Sequence, residues 1–162
     1  MREEQRGFSL VELLVVVGII LIVAAIAIPN FMRERMVANE SSAVASLRSI
    51  NTAEMSYATT YPNVGFAPLG NLGGTATDCA VGPSAANGCF LDNVLATNGN
   101  GGGKNGYNFG VGVSGNPGVS YTSHAEPLSA STGSRAFCGD ESGVIYFLAP
   151  NSCTPATGSP IQ

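Results

Sequence analysis

Sixteen consecutive residues, Leu13 to Ile28, carry neither a charge nor a polar side chain, and counting back to Phe8 extends the segment to twenty-one residues. At 1.5 Å per residue, a helix of that length crosses a hydrocarbon core of about 30 Å. No water is available there to satisfy exposed peptide groups, so the segment must be helical. One residue does not belong in lipid: Glu12. A carboxylate at bilayer depth costs about 2.5–3.5 kcal/mol even on lenient insertion scales, so it requires a partner charge and marks a functional position. An α-amine is one candidate cation.

The surrounding residues are more specific than the hydropathy. Gly7 precedes Phe8, Glu12 stands fifth after the Gly7–Phe8 junction, and Pro29 lies twenty-one residues beyond Phe8. In these respects the chain resembles the class III signal of type IV prepilins. The resemblance implies that a prepilin peptidase cuts after Gly7 on the cytoplasmic side and methylates the new amine of Phe8. Met1 to Gly7 is then the leader, and the apolar segment remains as anchor and assembly helix. The motif covers Gly7 to about Phe31, and weaker similarity to pilins and pseudopilins continues through the helix and into Cys138–Ile145. Leu21 departs from the pattern, because many relatives carry glycine there; Gly18 remains.

The same resemblance implies the partners: neighbouring copies and related pilins, prepilin peptidase, and an inner-membrane platform with its ATPase. Before assembly the subunit would be a single-pass inner-membrane protein with its head in the periplasm, consistent with a basic flank held inside. It would then pass into an extracellular pilus or a periplasmic pseudopilus. A type II secretion pseudopilin shares all these features and is the alternative reading.

A different reading competes for the same residues. Arg2 and Arg6 form a basic start, an apolar stretch follows, and Ala25-Ile26-Ala27 has the small-residue pattern of a signal-peptidase site. Cleavage after Ala27 would release a secreted binding module. The apolar run exceeds the usual 7–15 residues of a signal peptide, however, and Glu12 near its start is out of character.

Only 11% of the 162 residues are charged, and the net charge is −4. A surface so poor in charge suits close packing against copies of itself, and an acidic balance gives no support for nucleic acid as the primary partner. Four cysteines, Cys79, Cys89, Cys138 and Cys153, all follow the apolar segment, as expected for an oxidising compartment. Three pairings are possible, and the two local ones, Cys79 with Cys89 and Cys138 with Cys153, are favoured. Zinc ligation is disfavoured by the lack of a C-x-x-C pair and the presence of a single histidine.

After Pro29, residues Val37, Val44, Leu47, Ile50, Ala53 and Tyr57 recur near the 3.6-residue period, with Arg33, Glu34, Glu40, Arg48 and Asn51 interleaved. This predicts a long bent helix whose amphipathic half lies on a sheet and ends at Pro62-Asn63. Residues 62–106 read as a connection with a short helix near Phe90–Leu95, and Asn98–Lys104 as a mobile glycine-rich turn. Strands are predicted at Gly106–Val113, Val119–Ala125, Ala136–Gly139 and Val144–Leu148, with Asp140–Gly143 turning the last pair into a hairpin.

The expected fold is α+β. A cleaved leader (1–7) precedes a transmembrane and assembly helix (8–28), an amphipathic helix (29–61) and a head (62–162) whose antiparallel sheet and C-terminal loop occupy 107–162. Catalytic signals are absent: His124, the single histidine, has Glu126 nearby and is all that favours an anchored hydrolase, no G-x-S-x-G motif accompanies it, and a strand or surface histidine is the simpler assignment. Asp140 and Glu141 are weak calcium candidates, and no cofactor is expected. The reading is a structural filament subunit, not an enzyme, with Gly7, Phe8, Glu12 and Pro29 as its functional positions.

Overall fold

The computed structural model describes residues 9–149 and 152–161. It divides into two compact units, Met1–Arg35 and Met36–Gln162, and helix α1 (Leu10–Thr60) contributes to both. The expected cleavage site, Gly7 and Phe8, lies outside the described residues.

In the first unit the side chains of α1 are exposed almost throughout, and the apolar stretch is unburied among the described residues. Length and composition make this one helix able to cross a membrane. Pro29 sits inside it. Proline lacks the N–H that would bond a carbonyl one turn back. The Asn30 side-chain amide donates to the Ile26 carbonyl at 3.1 Å, one residue beyond the Ala25 carbonyl that the proline leaves without its usual donor.

The second unit is an α+β head. Ala43, Leu47, Ile50, Ala53 and Tyr57 of α1 are buried at helical spacing. They form one core with Tyr107, Phe109, Ala125, Phe137 and Ile145 from the sheet and with Leu69, Leu72, Leu91 and Leu95 from the connection. Each fully buried large side chain of this kind contributes about 1.5–3 kcal/mol, so the core is what fixes this half of the helix on the sheet. Val37, expected on the same stripe, is exposed, because the covered face begins only near Glu40. Glu40 and Asn51, expected among the interleaved polar positions, are buried instead.

The sheet has five antiparallel strands in sequence order: β1 (Tyr107–Ser114), β2 (Ser120–Pro127), β3 (Ala136–Asp140), β4 (Ile145–Leu148) and β5 (Ser159–Pro160). The fifth was not expected; two residues are too few to leave an alternation signal. Val119, assigned to a strand from the sequence, lies outside β2 and is exposed. The Asp140–Gly143 turn closes with the Gly143 N–H on the Asp140 carbonyl at 3.0 Å. Strand alternation also supplies a second, smaller core, in which Ala136, Cys138 and Cys153 pack with Tyr146 and Leu148.

The connection holds three short helices, α2 (Leu69–Leu72), α3 (Ala76–Val81) and α4 (Asn93–Ala96). Thr75 and Asp78 form a reciprocal capping box at the start of α3. The segment from Asn98 to Lys104, expected to be mobile, is tied down. Asn98 in the left-handed conformation bonds the Asn108 side chain and accepts the Phe109 N–H at 2.8 Å. Lys104 exchanges backbone bonds with Tyr107 at 2.8 and 3.0 Å. The glycines supply the turn geometry, and the asparagine side chain supplies the anchorage that composition does not reveal.

Candidate assembly helix and its supports

Of the functional positions expected from the sequence, Glu12 lies in the first turn of α1 and Pro29 inside it, while Gly7 and Phe8 lie outside the described residues. Ser9 stands immediately before the first helical residue, and its N–H donates to Glu12 Oε2 at 2.9 Å. Leu13 N–H reaches the Ser9 carbonyl at 3.2 Å, closing the first turn. Helix starts leave N–H groups without intrahelical partners, and a glutamate at the third helical position commonly reaches back to satisfy one of them. Glu12 therefore has a local role as well as a charge, and that role was missed in the sequence reading. The signal was there: Ser9-Leu10-Val11-Glu12 is an S-x-x-E pattern.

Around Glu12 the helix surface is apolar and open: Leu10, Val11, Leu13 and Leu14 are all more than half exposed. The carboxylate is thus held at the positive end of the helix dipole. Pro29 lies at the far end of the same apolar stretch, within the helix.

Two buried acids support the other half of α1. Glu40 accepts the Ser134 N–H and hydroxyl through Oε1, both at 2.9 Å, and Arg135 through Oε2. Glu54 accepts only the Ala67 N–H, at 3.1 Å through Oε2. Both follow the phase of the apolar stripe, at 40, 43, 47, 50, 54 and 57, so their burial was readable from position though not from residue type.

The disulfides are Cys79–Cys89 and Cys138–Cys153, with Cα atoms 5.8 and 5.5 Å apart. The first fixes the end of α3 to the connection. The second closes the carboxyl-terminal segment over the sheet face opposite α1.

Of the remaining candidates, His124 and Glu126 share one face of β2 and line a single pocket beside Cys138 and Cys153, whereas Asp140 and Glu141 are not part of it. His124 lies opposite Gly110 on β1 and Cys138 on β3, its ring over Gly110, where an added Cβ would come within 2.5 Å of Cε1 and Nε2. Ser123, the nearest hydroxyl in sequence on the strand, points to the other face and donates to Asn51 Oδ1 at 3.1 Å. Alternation along β2 thus separates the histidine from the serine beside it. Asp140 turns its carboxylate onto the Ser142 N–H at 3.0 Å, and Glu141 is exposed. No cluster of three or more His, Cys, Asp or Glu side chains suited to a metal occurs among the described residues.

Comparison with known proteins agrees with this geometry. A family model described as the prokaryotic N-terminal methylation motif matches residues 4–28. The chain is 41% identical over 85 residues to the type IV major pilin protein PilA of Myxococcus xanthus (strain DK1622). That match takes in 48% of this chain and spans 39% of the length of the relative. No solved structure matches the chain. With that motif at its start and an α+β head behind one long apolar helix, the chain is similar to type IV pilins, and it spans about two fifths of the length of the relative it matches.

Proposed function

We propose that this chain is the structural subunit of a type IV pilus-like filament. It is cleaved between Gly7 and Phe8, N-methylated on Phe8, and assembled from the inner membrane through the helix whose first turn holds Glu12. The observation that carries this reading is the combination of an apolar half-helix whose side chains are exposed among the described residues with a carboxylate in its first turn. Lipid covers such a surface before assembly, and the helices of neighbouring copies cover it afterwards. Each incoming subunit offers Glu12 to the amine of Phe8 on a docked neighbour. At about 4 Å that attraction is several times stronger at an effective dielectric near 20 than in water, enough to set the axial stagger between subunits.

The partners that follow are prepilin peptidase, other copies and related pilins, and the membrane platform with its ATPase. The head would face the periplasm before assembly. Similarity to a major pilin favours a pilus over a type II secretion pseudopilus. Imaging cell-surface filaments in a deletion strain, with protein secretion assayed in parallel, tests the choice. Loss of filaments with secretion intact supports the pilus; loss of secretion with surface filaments intact overturns it in favour of the pseudopilus.

A further inference from the structure

Glu54 is fully buried on the face of α1 that meets the head, and its surroundings differ from those of Glu40. Oε2 accepts the Ala67 N–H; Oε1 has no protein partner. One turn earlier Asn51 is also buried, with its carbonyl oxygen engaged by Ser123 and its amide nitrogen unpartnered. Among the described residues no cation is paired with Glu54. The titratable groups near it are two buried phenols, Tyr57 on α1 and Tyr121 on β2, while Asp140 and Glu141 add negative charge on the Tyr121 side.

Ala67 ends a short strap, residues 64–67, that crosses this edge of the head. The strap is joined to the β1–β2 loop by Phe66 N–H on the Gly118 carbonyl at 3.0 Å and Gly118 N–H on the Val64 carbonyl at 2.8 Å. The Phe66 ring packs on Tyr121, with centroids 4.7 Å apart. Gly65 has φ +74°, and an added Cβ would meet the Gly118 carbonyl oxygen at 2.1 Å, so the strap runs where only glycine fits. Glu54 is its hydrogen-bonded attachment to α1.

We propose that Glu54 is a proton-operated latch: neutral, it holds Ala67 and the 64–67 strap against α1, and ionised, with one donor and no cation, it lets the strap open to water. An isolated buried carboxylate is stable in the neutral form or when hydrated, and opening the strap hydrates it. Burial pushes the carboxyl up to about 7, opposed in part by the Ala67 N–H. The closed strap therefore binds the proton more tightly than the open one. Its advantage is complete below the ordinary carboxyl value of 4.5, declines as pH rises, and reaches its floor near pH 7. This inference concerns the head alone and holds whether or not the chain forms filaments.

Amide hydrogen exchange at Phe66, Ala67 and Gly118 tests it, measured on the full chain in detergent micelles at several pH values between 5 and 7. Dividing the protection in the native chain by that in Glu54→Gln at each pH removes the intrinsic pH dependence of exchange. The ratio is expected to fall about tenfold per unit from pH 5 to 6.5 and to level off near 7, the linkage of one proton. A ratio that stays constant overturns the latch. The ¹³C titration of the Glu54 carboxyl in the native chain provides a second test that needs no variant. A midpoint near 7 supports the proposal, and an ordinary midpoint with the strap amides still protected overturns it.

Discussion

Arg135 grips Glu40 through two nitrogens on one oxygen, with Nε at 2.8 Å and Nη2 at 2.6 Å from Oε2, across ninety-five residues of sequence. The guanidinium also lies over the rings of Phe137 and Phe147, at 5.6 and 5.4 Å. Glu40 is thus buried but fully served, and the contact joins the first covered turn of α1 to the start of β3. Burial alone would raise its carboxyl; the Ser134 N–H, the Arg135 guanidinium and the Ser134 hydroxyl together hold it below the usual range.

Removing one partner of such a pair leaves the other without compensation. Because Arg135 is 42% exposed and water can reach it, Glu40→Ala should cost the head about 1.5–3 kcal/mol, the range for a hydrogen bond to a charged group. The pH dependence runs opposite to that of Glu54. A lowered folded value means that the Glu40 contribution is present above the ordinary carboxyl value of 4.5 and is lost as pH falls through the folded one. Denaturant unfolding of both forms should show their stabilities converging in acid. A variant as stable as the native chain at pH 7 would contradict this account of the pair.

The second disulfide carries a separate prediction. Cys138 and Cys153 are fifteen residues apart, and closing a loop of that size stabilises by about 3 kcal/mol in the chain-entropy model. Replacing both with serine should lower stability by a comparable amount and free residues 152–161 from the sheet. Limited proteolysis is expected to trim this segment in the variant and to spare it in the native chain. Equal resistance in both would show that Tyr146, Leu148 and β5 hold the segment without the bond.

Much of this architecture was legible in the chain, and most of the exceptions share a cause. The apolar run, the stripe from Leu47 to Tyr57 and the alternation of Tyr107 and Phe109 are local patterns, and each formed the expected element. Glu40 was misplaced because its burial depends on Ser134 and Arg135, more than ninety residues away. Asn98 was read as part of a loose turn because its anchors, Asn108 and Phe109, lie on the following strand. Glu54 differs: its one partner, Ala67, is only thirteen residues away, and its helical phase with Ile50 and Tyr57 was the signal for its burial. At the site, the charge of Glu12 was visible in the sequence. Its bond to Ser9 was readable only as a capping pattern.

That bond allows the two roles of Glu12 to be separated. Glu12→Gln keeps an oxygen able to accept the Ser9 N–H but removes the charge, whereas Glu12→Ala removes both. Membrane insertion and head folding should survive in either variant. If pairing with the Phe8 amine drives assembly, both should lose incorporation into filaments about tenfold or more, the consequence of at least 1.4 kcal/mol. Quantifying each variant in sheared filament fractions, as the sole copy in the cell, reads this out. Normal assembly of Glu12→Gln alone would assign Glu12 to the helix start and not to the charge pair.

The proposed life of the chain rests on what happens at its amino end, and intact-mass and peptide mass spectrometry of the protein recovered from membranes and filaments reads that directly. The account predicts a mature chain beginning at Phe8 with a single added methyl group on its amine, and a precursor retaining Met1–Gly7 when Gly7 is replaced by a bulky residue. A mature chain beginning at Ile28 would identify a released module, and one retaining its leader would identify a plain membrane anchor. Either result would contradict the filament-subunit assignment.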